Sequence, residues 1–497
     1  MQSNLTTSTL KIIFTLLQLL WIIYSDAQVI TDKNIYAEPS PPVLPPAGGK
    51  FTDPVFGTEI LRVTDSDINN YNYYSYALCH NINSTVLYIQ SVNNIPTLYD
   101  FDPSAFTISN KRNAYTGSIP SGYMDSQAAG WSGIDPDLIY ITIGSGIYQY
   151  NIQTNTYILI HDVQNDYTGA ETVYLFQMQK STNDSAFVYT IKDANNYDVL
   201  GYGTWHKKFG ANVVVTSNVN EVAVDKTGSY YKVTSELLDP SYQILHVRFS
   251  DLKTDSLSYN DPPECAIGHS DLGTKIIVGS AGCIANGISR MDFNDPLNSI
   301  QLIDFANDWS QGNHTSMLST NENWATISAY YSNTFQNYGF FKNEIFQIAT
   351  DGSGNVRRLA HHHSKVGRIN NTTYDYWSTP RAAISMDGKW ITFTSNWGDT
   401  TRYDVFVLKV PDYPLGLESS ILKYPRTLVT PTISSGIYYL SDDLKGDFSI
   451  VNTLGQTIKN NINTSNKVID ISDQPNGIYF VYFQSENDVH VSKISKQ

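Results

Sequence analysis

A turn-forming pair followed at once by a short apolar run ending near Ser or Thr recurs seven times along the chain. The turns fall at Asn83 and Ser84, Asp135 and Asp137, Asn183 and Asp184, Lys226 and Gly228, Leu272 and Gly273, Asn321 and Glu322, and Asp387 and Gly388. Val86-Leu-Tyr-Ile, Leu138-Ile-Tyr-Ile-Thr and Ala186-Phe-Val-Tyr-Thr are typical runs, too short for helices and rich in β-branched and aromatic residues. A third strand follows many of them, as in Gly146-Ile-Tyr-Gln-Tyr-Asn and Tyr403-Asp-Val-Phe-Val-Leu. A period of about 40–50 residues, with one longer gap before the last unit, is that of propeller blades. The pattern predicts an all-β fold, a seven-bladed β-propeller over 48–412 with four-stranded sheets around one channel. A two-sheet sandwich is the competing arrangement.

If the innermost strand of each blade ends at its turn, residues about six to eight positions earlier lie at the channel mouth. Superposing the turns places Gln177, Glu221, Cys265, His314 and Arg381 around that rim, and His80 and His269 nearer the other end. The segment between the sixth and seventh turns adds His361, His362, His363, Tyr376 and Trp377. Imidazoles, phenols and a guanidinium together suit proton transfer, metal binding or stacking on a sugar ring. In extended chain neighbouring side chains alternate, so either His361 with His363 or His362 alone faces a given point. His361 and His363 are the candidate ligands of a divalent metal, and a solvated loop is the alternative for the triplet. Gln177, Glu221 and Trp377 are candidate substrate-binding residues.

The two ends of the chain predict export. Lys11 precedes an apolar run at 12–24, and Ser25 to Ala27 offer small residues for cleavage, which predicts a signal peptide at 1–27. A Pro-rich lead-in follows at 28–47, and a second Pro-containing stretch at 413–434 reads as a linker. From 435 onward come Gly446-Asp-Phe-Ser-Ile-Val-Asn, Leu454-Gly-Gln-Thr-Ile, Ile469-Asp-Ile-Ser, Asn476-Gly-Ile-Tyr-Phe and the basic end at Lys493-Ile-Ser-Lys-Gln. Short alternating strands of this kind predict a small β-sandwich. The blocks resemble the C-terminal sorting domain of type IX secretion. That resemblance implies the secretion machinery as partner and a secreted or cell-surface location reached through the periplasm. The seventh repeat, with Ser385, Asp387, Gly388 and Lys389, resembles the blades of TolB-like propellers.

The chain has 497 residues, with 32 basic against 47 acidic side chains and a net charge of −15, which argues against a nucleic-acid partner. No later run is long and apolar enough to span a membrane once the signal is removed. Of the three cysteines, Cys265 with Cys283 is the expected pair if any disulfide forms, and a reduced, buried trio is the alternative. Gln311-Gly-Asn-His314 is similar to the Gln and His ligands of secreted propeller lyases of the oligogalacturonate and ulvan type, although Ser316 departs from their pattern. The similarity implies β-elimination on an extracellular acidic polysaccharide, with His314, Tyr376 and Arg381 catalytic and a divalent metal bound. A non-catalytic glycan- or protein-binding propeller is the other reading.

Overall fold

A computed structural model describes residues 30–411 and 429–497, apart from the stretches 66–67, 92–95, 123, 125–128, 235–242, 259–267, 270, 275, 280–286, 293–294, 305–310, 332–340, 366–375, 399–401, 431–432, 441–446, 453–455, 461–467 and 485–488. The expected signal peptide, and Cys265 and Cys283, lie outside the described residues. The chain divides into two compact units, 1–411 and 412–497.

The first unit is a seven-bladed β-propeller. Each of the seven predicted turns joins the innermost and second strands of one sheet, for example between Val173–Lys180 and Ala186–Asp193 in blade three. A local device shapes several of these turns. A side-chain oxygen placed just before the turn accepts the first amides beyond it: Asn81 Oδ1 from Thr85 and Val86, Ser181 Oγ from Ser185 and Ala186, Asp225 Oδ1 from Ser229 and Tyr230, and Ser385 Oγ from Trp390. Asn, Ser and Asp favour turns because their short side chains can hydrogen-bond nearby backbone. Gly228 and Gly388 adopt left-handed φ values of 68° and 73°, which glycine tolerates without strain.

The turns also bind to one another around the ring. Asn81 Nδ2 donates to Pro136 O (3.1 Å), Ser132 Oγ to Asp184 Oδ2 (2.5 Å), and Asn183 Nδ2 to Thr227 O (2.8 Å). Lys226 N donates to Gly273 O (3.3 Å), Thr274 Oγ1 to Glu322 Oε1 (2.7 Å), Thr320 N to Met386 O (2.9 Å), and Ser84 Oγ to Asp387 Oδ2 (3.2 Å). These seven contacts link each blade to the next and return to the first.

Closure comes from the other end of the chain. The last blade takes its inner three strands from Ala383–Ile384, Trp390–Ser395 and Asp404–Lys409, and its outer two from Glu59–Arg62 and Lys50–Thr52. Ile60 pairs with Leu408 and Arg62 with Phe406. The buried Arg62 guanidinium locks this seam, donating to Asp404 Oδ2 at 2.5 Å and to the carbonyls of Pro45 and Thr64. The tryptophans act as packing groups: Trp131 and Trp390 are buried, and Trp390 sits against Phe101 and Phe106 of the first blade.

The described residues of the lead-in, 30–47, form no strand, as its prolines predict, but are a docked strap. Arg358, in the outermost strand of blade six (Val356–His361), donates to the carbonyls of Asp32 and Asn34 and pairs with Glu344. Trp397 Nε1 donates to Pro42 O at 2.8 Å.

The second unit is a sandwich of a three-stranded and a five-stranded sheet around Tyr438, Phe448, Ile450, Ile469 and Val481. It begins earlier than the sequence reading placed it. Val429–Thr430 and Ile433–Ser434, assigned to the linker, pair with Ile437–Leu440 and Val489–Lys496. These strands are only two residues long, so no alternation marks them in the sequence.

Replacing Asp404 by Ala leaves the Arg62 charge buried without its carboxylate. The expected cost is about 3 kcal/mol in urea denaturation, the lower end for a broken buried pair because two carbonyl acceptors remain. A change well under 1 kcal/mol would show that the seam does not hold the ring shut.

Candidate functional site

His314 lies in the middle of the innermost strand of blade six, Gln311–Ser316, and is fully buried. Its Nε2 is 3.2 Å from Tyr376 Oη and 3.4 Å from Tyr74 Oη, and the two phenol oxygens are in direct contact. Tyr330 packs beside the imidazole, with ring centroids 5.3 Å apart. Arg381 enters from the start of the last blade. Its guanidinium lies 4.9 Å from the Trp377 ring, 5.4 Å from Tyr71 and 6.0 Å from both Tyr74 and Tyr376, and its Nη2 donates to Trp377 O. Aromatic faces attract a cation.

The backbone holds Arg381 at a φ of 41°, a conformation non-glycine residues adopt only when their surroundings impose it. Here Asn72 Nδ2 donates to Arg381 O at 2.5 Å and Ser328 Oγ accepts from Ala382 N. The strain therefore sits at the residue that presents the guanidinium. Tyr376 and Trp377, in one 3-10 turn (Tyr376–Ser378), are half-buried and are the exposed side of the cluster.

Burial is the main cause that raises the Tyr74 phenol well above its ordinary range, with the Tyr376 and Tyr76 phenols and the Glu221 carboxylate adding to it. Tyr74 thus stays protonated at neutral pH and acts as a donor. Glu221, buried at the start of the inner strand of blade four, accepts from Gln179 Nε2 at 3.2 Å. Gln177 is half-buried on the inner strand of blade three, at a bulge where its own φ is 53°.

His314, Tyr376, Arg381 and Trp377 thus come together, while His361 and His363 do not join them. His361 ends the outermost strand of blade six, three strands from His314, about 14 Å at the usual strand spacing. Nor is the triplet a solvated loop, since all three histidines are buried. His361 Nδ1 is 3.7 Å from Asp53 and its ring stacks on Phe56, His363 Nδ1 is 3.1 Å from Glu38, and His362 Nε2 is 2.9 Å from Ala329 O. The neighbours of His361 and His363 are thus the closing hairpin and the strap, and that of His362 is the second strand of blade six, Trp324–Tyr331. Among the described residues no three His, Cys, Asp or Glu side chains gather to hold a metal ion, and around His314 the donors are phenols. Among the described residues, the side chains around His314 do not form a site for a divalent metal.

His269, expected toward the far end of the channel, pairs in parallel with His314 and so lies level with it. Cys79 is free and buried, and burial pushes its thiol up to about 12, which leaves it unreactive. Tyr74 is the member that sequence reasoning missed. Its signal was the run of tyrosines at 71, 73, 74 and 76, in a segment too irregular to superpose on the other blades.

Residues 429–497 match the family described as the secretion system C-terminal sorting domain. The second unit is a type IX sorting domain. It marks the protein as secreted or cell-surface and the secretion machinery as its partner. No curated protein matches the chain. Among solved structures the chain is similar to an oligogalacturonate lyase in complex with manganese, at 12% identity and a TM-score of 0.52, over 75% of this chain and 98% of that one. It is also similar to an oligogalacturonate lyase from Vibrio parahaemolyticus, at 11% identity and a TM-score of 0.54, over 75% and 99%. A TolB from Acinetobacter baumannii aligns with a TM-score of 0.31 at 14% identity, over 60% and 65%. At such identities the likeness is one of fold. Among the described residues no helix is long and apolar enough to cross a membrane.

The buried histidines make stability depend on pH. Burial lowers the His361 imidazole, but the Asp53 carboxylate 3.7 Å away and the Glu344 charge outweigh it and raise it overall. Burial raises the Asp53 and Glu38 carboxyls, yet their contacts to His361 and to His363, with the nearby imidazole charges, hold both below the ordinary range. The raised imidazole contributes stability below about pH 6.5 and loses it as pH climbs through its folded value; the depressed carboxylates contribute above about pH 4 and lose it in acid. The thermal-midpoint gap between the native chain and His361→Gln should therefore be widest between about pH 4.5 and 6.5 and shrink in alkali. A gap independent of pH would show that His361 is held neutral. Separately, deletion of 429–497 should leave the propeller folded but retained in the periplasm, read by fractionation. Export of the shortened chain would show that another signal suffices.

Proposed function

We propose that the exported propeller acts on an acidic extracellular polysaccharide, cleaving beside a uronate by β-elimination. The observation that carries this reading is the convergence of His314 and Arg381 on the same two phenols, Tyr74 and Tyr376, the first at hydrogen-bond and the second at cation–π distance. Two solved propellers of similar fold are named oligogalacturonate lyases, which supports the substrate class; the chemistry is argued from this chain's side chains.

Arg381 offers its charge to the uronate carboxylate, which makes the C5 proton more acidic. His314 Nε2 accepts that proton. The C5–H electron pair becomes the C4–C5 double bond as the C4–O bond breaks, and Tyr376 O–H gives its proton to the departing oxygen. The 3.2 Å contact then returns the proton from His314 to Tyr376, so the pair is restored and nothing is consumed. Access to Arg381 runs past Tyr376 and Trp377. Trp377 offers a ring for sugar stacking, and Gln177 and Glu221 are polar contacts along the inner strands.

The complete burial of His314 and Arg381 favours the second reading, a propeller that binds glycan or protein around Trp377 without catalysis. One assay separates the two. The mature protein is incubated with a panel of uronate polysaccharides while the ultraviolet absorbance of the unsaturated product is followed. Lyase activity should appear with at least one polymer, and His314→Ala, Tyr376→Phe and Arg381→Ala should each lower the rate roughly a hundredfold or more, measured at a temperature where each variant is fully folded. Binding without product from any polymer would discard the lyase and leave the binding propeller.

A further inference from the structure

The strap of residues 30–47 and the 3-10 turn that carries Tyr376 and Trp377 are joined by one chain of contacts. Glu38 Oε1 lies 3.1 Å from His363 Nδ1, and Glu38 Oε2 accepts from Asn343 Nδ2 at 2.8 Å. The His363 ring meets Trp397 edge to face at 4.7 Å, and His363 O accepts from Gly398 N at 2.7 Å. Trp397 in turn is held to the strap through Pro42 O. His363 has a φ of 53°, so its backbone, like that of Arg381, keeps an unfavourable conformation that its neighbours impose.

The contacts continue toward the site. Ser364 Oγ donates to Ser378 O, and Ser378 Oγ to Lys365 O at 3.2 Å. Asn396 accepts from Lys365 N at 2.8 Å and donates to Lys365 O at 2.9 Å. Ser378 is the last residue of the turn, and Thr379 N closes that turn on Tyr376 O at 3.0 Å. Every link is a buried or half-buried hydrogen bond, ion contact or ring contact. A shift of His363 by even an ångström must therefore break one of them or carry the turn along.

We propose that Glu38 and His363 are positioning residues: the docked strap fixes the turn that places Tyr376 and Trp377 over His314 and Arg381, and release of the strap opens that cluster. The inference rests on the proposed site, but its test does not require catalysis. The described contacts route the effect through Ser364, Asn396 and Ser378.

Amide hydrogen exchange of the full chain reads both ends of the network. In Glu38→Ala the amides of 32–38 should exchange faster, and those of Ser378 and Thr379 should speed up about tenfold or more with them. The inner strand of blade three, Val173–Lys180, should be unchanged. Glu38→Gln, which keeps the side chain's size and an acceptor for Asn343, should restore much of the protection at Thr379. If Glu38→Ala leaves the strap protected, Glu38→Arg releases it by setting a cation against the imidazole and the Asn343 donor. Unchanged exchange at 378–379 with the strap released, in either variant, overturns the proposal. Failure of the uronate assay would sink the catalytic reading and leave this result standing, whereas loosening of blade three together with the turn would show a global loss of stability in place of positioning.

Discussion

The propeller depends on shutting a ring with strands from opposite ends of the sequence. The four strands of each of the first six blades come from consecutive segments, with Gly268–His269 as a short extra edge on the sixth, but the seventh is completed by Glu59–Arg62 laid against Asp404–Lys409. Without that pairing the last blade exposes an edge of unpaired amides and carbonyls, and Trp390 loses the wall it shares with Phe101 and Phe106. The hydrogen bonds that pass from turn to turn then hold each sheet at a fixed place around the axis. The site inherits this rigidity. His314 comes from blade six, Arg381 from the approach to blade seven and Tyr74 from the first blade, so their distances are set by how well the ring closes.

The core of the site is a set of protonated or cationic groups enclosed by aromatic rings. A phenol held neutral by burial, an imidazole between two hydroxyls and a guanidinium among four rings form a compact proton-sharing cluster. Such a cluster is costly to build in a protein interior unless each polar atom is satisfied. Left-handed backbone at Arg381, Gln177 and His363 shows where the fold accepts strain around it.

Much of the architecture could be read from sequence because the turns are local. A Ser, Asn or Asp that caps the amides beyond it leaves a mark within five residues, and four of the seven turns carry that mark. The closing hairpin and the strap left no such mark, since what defines them is a partner some three hundred positions away. His361 and His363 looked like metal ligands because the sequence shows imidazoles without showing the carboxylates of Asp53 and Glu38 that face them. His314, Tyr376 and Arg381 were found by counting back from turns or by proximity to them. Tyr74 was not, because the inner segment of the first blade forms only a two-residue strand and isolated bridges.

The position of the closing strands has a consequence for biogenesis. Residues 50–62 emerge first and must wait for residues 404–409 before either edge is paired, so the ring is a contact of very high sequence separation and closes late. The sorting domain lies beyond both partners, at 429–497. A nascent chain interrupted within the propeller therefore lacks its seam and its address at once, and the order of segments acts as a completeness check in which only a polypeptide able to shut its ring carries the signal that sends it out.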